Sequence, residues 1–131
     1  MILLDTHIWI WWIQDDPRLK EERVNWMDEQ AEQGLGISII SCWEIAKLVE
    51  NNHLQLPNPV DKWLEQALNY PGISLLELTL PIVLDSTNLP PPFHRDPADQ
   101  IIVATARVHD IPLLTAYQKI LDYPHVQTIK P

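Results

Sequence analysis

The sequence predicts an α/β fold, a three-layer α/β/α arrangement with a central parallel sheet of four to five strands and helices on both of its faces. Three observations lead there. Short apolar runs of the type found in fully buried parallel strands recur along the chain, and segments with helical spacing of apolar residues alternate with them. The length, 131 residues, suits one compact unit, so residues 1–131 are expected to form a single domain.

Met1 to Leu4 (MILL) is the first such run, and it stops at Asp5 and Thr6, which places Asp5 at the carboxyl end of a strand. A first helix follows and carries Trp9, Trp11 and Trp12 within one turn. From Pro17 to about Gln33, apolar Leu19, Val24, Met27 and Ala31 recur at near-helical spacing among charges. This predicts a solvent-facing amphipathic helix that Gly34 ends. Leu35 to Ile40 (LGISII) reads as a second strand, and Ser41-Cys-Trp-Glu44 opens a helix whose Cys42, Ile45, Ala46 and Val49 form one apolar stripe. After Leu56-Pro-Asn-Pro59, Val60 to Tyr70 predicts a helix, and Ile73 to Leu78 a third strand between Pro71-Gly72 and Pro81. A short helix from Pro81 to about Thr87 runs into Leu89-Pro-Pro-Pro92, which neither a helix nor a central strand accommodates. Pro97 to His109 predicts a helix that is apolar on almost every side, Pro112 to Thr115 a fourth strand and Val126 to Ile129 a fifth. In such folds ligands bind beyond the carboxyl ends of the strands.

Hydrophobic residues make up 46% of the chain and charged residues 21%, which excludes disorder. Lys and Arg number 9 against 18 Asp and Glu, and a net charge of −9 excludes a general electrostatic binder of phosphate backbones. Asp15 to Gln33 alone contributes −4, with seven acids against Arg18, Lys20 and Arg23. The single cysteine, Cys42, excludes an internal disulfide, and the opening MILLDTHIW has no basic region before its apolar run. No uncharged apolar stretch reaches the roughly 18 residues of a membrane span. A soluble, cytoplasmic protein with no membrane partner is expected.

Four acids fall where the strand-end rule looks: Asp5 after the first strand, Glu44 at the start of the helix after the second, and Asp96 and Asp99 opening the late apolar helix. Spacing of three puts Asp96 and Asp99 on one face, near the positive end of the helix dipole. Four carboxylates in one cleft repel unless a cation sits among them, and hard oxygen ligands suit Mg²⁺ or Mn²⁺. Such an ion supports phosphodiester hydrolysis by metal-activated water. Each acid also has a structural reading. Ser41-x-x-Glu44 forms a capping box, and Asp96 before Pro97 is a good N-cap. Asp5 can serve a neighbouring helix N-terminus. Asp99 shares a face with Ile102, Val103 and Ala106, where an unpaired carboxylate costs several kcal/mol, so it is the hardest to explain structurally.

The segments LLDTHIWIWW, SIISCWEIAKLVENNHLQLP, HRDPADQIIVATARVHDIPLLTA and ILDYPHVQTI resemble, in that order and from Met1 to Ile129, a PIN-domain ribonuclease of the VapC toxin type. The resemblance implies a PIN-like α/β/α domain that cleaves RNA with Mg²⁺ or Mn²⁺, as a homodimer paired with a cognate antitoxin. By the family's motifs Asp5, Glu44 and Asp99 match the acidic ligands, Asp96 is an additional carboxylate, and Thr6 matches the small hydroxyl residue beside the first Asp. One position departs. Tyr117 stands where such proteins often carry a fourth acid after the LLTA strand, and a phenol is neutral at pH 7. That leaves open one metal or two. It also keeps a catalytically impaired PIN-like binding module as an alternative, beside another metal-dependent phosphoryl-transfer enzyme such as a phosphatase or a receiver domain.

Positive charge is scarce. Lys47, one turn beyond Glu44, is expected either to hold Glu44, to meet a phosphate, or to form an exposed i,i+3 pair. His94 and Arg95 lie on a loop at the mouth of the expected cleft, and His7 is expected to hold a hydrogen-bonded position in the first helical turn rather than a metal. Among the tryptophans, Trp9 and Trp12 share a helix face while Trp11 points elsewhere. The spacing favours one in the core and at least one at a protein interface, and it supports base stacking least.

Overall fold

The computed structural model describes residues 1–131. Five strands form one sheet: β1 (Ile2–Leu4), β2 (Leu35–Ser38), β3 (Ile73–Leu76), β4 (Leu113–Leu114) and β5 (Thr128–Ile129). All pairings are parallel and the spatial order is β3-β2-β1-β4-β5. Seven α-helices connect them: α1 (Thr6–Ile13), α2 (Glu21–Gln30), α3 (Ile39–Glu50), α4 (Val60–Leu68), α5 (Leu80–Ser86), α6 (Pro97–His109) and α7 (Gln118–Leu121). The α/β class and the parallel sheet expected from the sequence are both present.

Strand side chains alternate between two layers of core. Ile2, Leu4, Leu35, Ile37 and Leu114 pack with Ile8, Trp9 and Trp12 of α1, Met27 of α2, Ile45 of α3 and Trp63 and Ala67 of α4. On the opposite face Leu3 and Leu113 meet Ile102, Val103 and Ala106 of α6, together with Ile120 and Tyr123. Leu3, Leu4, Leu35, Ile37, Leu113 and Leu114 are fully buried, which explains why these strands read as uninterrupted apolar runs. Gly72 enters β3 at a φ of +88°, and a Cβ there would stand 2.6 Å from the Ala31 carbonyl oxygen, so no other residue fits this turn without a shift.

Several boundaries differ from the sequence reading. The second helix begins at Glu21 rather than Pro17, because Asp16 accepts from both the Arg18 backbone N–H (2.9 Å) and its guanidinium (2.8 Å), holding the preceding residues in a turn. Strand β2 ends at Ser38, and Ile39 and Ile40 already form the first turn of α3. The N-cap is Ser38, whose hydroxyl accepts from Ile40 N–H (3.2 Å), so the Ser41–Glu44 capping box does not exist. Strand β3 stops at Leu76. The short helix α7 was not anticipated, and it is anchored by fully buried Ile120. No helix is long and apolar enough to cross a membrane.

The order β3-β2-β1-β4-β5 has its switch point between β1 and β4, from which the chain winds outward in opposite directions. The crevice of such a sheet opens there, beyond the strand carboxyl ends. Asp5 follows β1 at that point and Thr115 follows β4.

Candidate active site

Asp5 is the residue that ends β1 and caps α1. Its backbone N–H donates to the Leu114 carbonyl (2.9 Å), extending the β1–β4 ladder by one residue and setting the side chain at the switch point. Oδ1 accepts from Thr6 N–H at 2.8 Å, and Oδ2 accepts from the Thr115 hydroxyl at 2.6 Å. Each oxygen thus has one fixed partner and spare lone pairs. Burial pushes the Asp5 carboxyl above its ordinary pKa, while the Thr115 and Thr6 hydrogen bonds and the nearby His7 pull it back.

Glu44 projects from the second turn of α3 and, released from the expected cap, meets α1. The Thr6 hydroxyl lies 2.6 Å from Glu44 Oε1 and 2.8 Å from Ser41 Oγ. Having one proton, it donates to the carboxylate and accepts from Ser41. Ser41, assigned to capping by its position in the sequence, is instead a fully buried link in this chain. Burial raises the Glu44 pKa to about 7. The Thr6 hydrogen bond opposes the rise, and the charges of Asp5, Asp99 and Asp96 add to it.

Asp96 caps α6 as expected: Pro97 occupies the first turn and Oδ1 accepts from Asp99 N–H at 3.1 Å. The same bond orients the backbone from which Asp99 points into the cleft. Asp99 Oδ2 lies 2.6 Å from His94 Nε2. Burial raises the Asp99 pKa, the His94 hydrogen bond lowers it, and the charges of Asp96 and Asp5 raise it again. His94 is itself held between Phe93 (ring centroids 4.3 Å) and the edge of Tyr117 (5.4 Å).

Asp5, Thr6, His7, Trp11, Glu44, Asp96, Asp99, Ala116 and Tyr117 line one cleft of about 410 Å³. All four acids predicted from the sequence converge in it, with Thr6. Lys47 does not. Its ammonium pairs with Glu50 at 2.8 Å and lies 5.9 Å from the Trp43 ring centroid, so it does not hold Glu44. The lining contains neither lysine nor arginine. His7, expected to be hydrogen-bonded, is exposed with its ring 6.3 Å from that of Trp11. The tryptophans also divide differently: both Trp9 and Trp12 are buried, and Trp11 is the one that reaches the cleft. The sequence reading missed three supporting contacts, from Thr115, Ser41 and His94. Thr115 was discoverable, since it ends a predicted strand as Asp5 does. Ser41 carried no such signal, and His94, expected at the cleft mouth, lies five residues before the Asp99 that it contacts.

The PIN domain family profile matches residues 2–124. Ribonuclease VapC22 of Mycobacterium tuberculosis is 30% identical over 128 residues, 98% of this chain and 95% of that protein. Among solved structures, VapBC2 from Rickettsia felis bound to a promoter DNA fragment superposes with a TM-score of 0.74 at 17% identity, covering 99% of this chain and 98% of that one. FitAcB from Neisseria gonorrhoeae superposes with a TM-score of 0.70 at 23% identity, covering 98% and 96%. These two likenesses establish the fold.

Proposed function

The chain belongs to the PIN-domain family, and on that premise we propose that it is a VapC-type ribonuclease toxin, a single PIN unit over residues 1–131 that hydrolyses RNA phosphodiester bonds with Mg²⁺ or Mn²⁺. The observation that carries the proposal is the gathering of Asp5, Glu44, Asp96 and Asp99 in one cleft whose lining supplies no lysine or arginine. Burial first, and then the charges of the neighbouring acids, weigh on Glu44 and Asp99, and a cation from outside the chain would relieve both.

The donor set fits a hard divalent ion. No three His, Cys, Asp or Glu side chains are gathered tightly enough to form a closed cage. An ion of the Mg²⁺ kind keeps several waters and takes one or two carboxylates directly. Bound here, the ion would neutralise phosphate charge and make a water more acidic. The chain does the rest. Asp5, fixed by Thr115 and Thr6, and Asp99, fixed by His94, are the oriented donors. Glu44, held by Thr6 in the same cleft, would hold the ion or the attacking water. Asp96 adds negative charge at the rim. Thr6 acts through Glu44, as a positioning residue.

The same reading assigns a cognate antitoxin and a homodimer in the cytoplasm. Leu78, Leu80, Val83 and Leu84, exposed on and beside α5, offer an apolar surface for protein contact. Tyr117 in the cleft lining, a phenol where a fourth carboxylate was expected, is the observation that favours the alternative, a binding module without catalysis. A labelled single-stranded RNA incubated with antitoxin-free protein separates the two. Cleavage that needs Mg²⁺ or Mn²⁺ and stops with chelator is expected, whereas folded protein that cuts no RNA under any metal condition would leave the binding module.

A further inference from the structure

We propose that Trp11 is a nucleobase-stacking wall of the carboxylate cleft, so that RNA is held by a base as well as by its phosphate; this rests on the RNA-cleaving reading above. The three tryptophans of α1 have separate environments. Trp9 is fully buried with its ring 5.6 Å from Trp63, and Trp12 packs edge-on to Tyr70 at 4.9 Å while its indole N–H donates to Asp28 at 3.2 Å. Both are accounted for by the fold. Trp11 is half-buried and lines the cleft with all four acids.

Trp11 packs one side against the apolar core, and its exposed part lies beside charged and polar groups. The Arg18 guanidinium stands 5.0 Å from the ring centroid, tethered at its other side by Asp16, and exposed His7 leans on the ring at 55°. An apolar protein segment reaching the exposed part of this ring would also meet the four cleft carboxylates and the Arg18–Asp16 pair. A nucleotide finds in the exposed part of the indole an aromatic surface for its base. Arg18 itself stays paired with Asp16 and is not part of the cleft lining. Tyr117, 39% exposed, forms a second aromatic wall of the same cleft. A phosphate over the acids and a base against Trp11 is therefore a coherent pose. The sequence could not indicate it, because spacing alone says only that Trp11 points away from Trp9 and Trp12.

The test is a cycle between ring and base. Binding of a 5′-fluorescein RNA hexamer is measured by anisotropy in Ca²⁺ for wild type, Trp11→Phe and Trp11→Ala, with RNA integrity checked on a gel. The same is done for hexamers made abasic at one position at a time. Trp11→Ala should weaken binding by about 5-fold to 150-fold, the range expected for one stacked base, while Trp11→Phe retains most of the affinity. Removing one particular base should cost wild type a similar factor and cost Trp11→Ala nothing further. Equal abasic penalties in wild type and Trp11→Ala at every position would overturn the proposal. So would unchanged RNA affinity together with a shift from dimer to monomer in sedimentation, which would give the ring to a protein contact. Cleavage assayed in parallel with Mn²⁺ keeps the two readings apart. Ring–base coupling without cleavage removes the ribonuclease and keeps the stacking wall, and cleavage without coupling does the reverse.

Discussion

Asp85 and Glu44 are both half-buried carboxylates on helices, and the protein treats them in opposite ways. Asp85 on α5 receives the Arg107 guanidinium from α6 at 2.9 Å and 3.4 Å, and Arg107 also donates to the His125 carbonyl at 2.6 Å. At the surface turn before α2, Arg18 likewise holds Asp16 at a pKa of about 2, through side-chain and backbone hydrogen bonds. Glu44 has only the Thr6 hydroxyl and sits near 7. The cleft acids are thus held by neutral hydroxyls, backbone amides and one histidine, whereas Asp16 and Asp85 receive guanidinium groups. Orientation without charge compensation is what an ion-binding site requires, and full pairing is what a structural site requires. The cleft lining itself contains no lysine or arginine.

The largest expected effect comes from breaking the cleft side. Asp99→Asn keeps the N-cap at Asp96 and the shape of α6, yet should lower RNA cleavage by at least about 100-fold, measured as initial rates at saturating Mn²⁺. An unchanged rate would separate Asp99 from the reaction and leave the contrast purely structural.

Thr115→Val tests whether neutral hydroxyls do the holding. It removes the partner of Asp5 Oδ2 inside the protein and should cost about 1–3 kcal/mol in denaturant unfolding, with weaker Mn²⁺ binding by calorimetry. A stability loss with intact metal affinity would make Thr115 a packing residue only.

Glu44→Gln should act in the opposite direction on stability. The folded pKa of about 7 lies above the ordinary 4.5, so the unfolded chain ionises first as pH rises. The resulting penalty is absent below the unfolded value, grows between about 4.5 and 7, and is complete above that window. Metal-free wild type should therefore lose stability through this range. At pH 8 Glu44→Gln should be more stable by about 1 kcal/mol, after discounting for partial exposure. Parallel pH profiles for the two proteins would show that Glu44 is not under the strain inferred.

The smallest effect belongs to Lys47. Its i,i+3 pair with Glu50 is exposed, so Lys47→Ala should change stability by no more than about 0.5 kcal/mol and leave cleavage intact. A large loss of activity would mean that this lysine reaches the substrate and that the cleft does not rely on an external cation alone.

What could be read in advance follows from how local each feature is. The alternation of MILL, LGIS and PLLT with helical segments is carried by neighbouring residues, and the sheet they form is found. The positions of Asp5, Asp96 and Asp99 at element ends were equally local, marked by the strand stop and by the Asp96-Pro97 cap. Glu44 was placed correctly as an acid near the start of a helix but for the wrong local reason. The Ser-x-x-Glu pattern implied a cap, whereas the helix starts at Ile39 and Glu44 turns to Thr6. For Lys47 the exposed i,i+3 pair among its expected roles is the one found, and because acids flank it on both sides at helical spacing, only packing selects Glu50.

The sequence by itself determined the order of strands and helices, the buried character of the strands and the places where carboxylates interrupt them, because each depends on periodicity within a few residues. Only the tertiary structure decided which groups meet. Thr115 reaches Asp5 across 110 positions and Thr6 reaches Glu44 across 38, because the β3-β2-β1-β4-β5 order sets β4 beside β1 and packs α3 against α1. Trp11 faces the carboxylates for the same reason. The rotation of α1 about its axis is fixed by burying Trp9 and Trp12 against the sheet and α4, a constraint that exists only once those partners are in place.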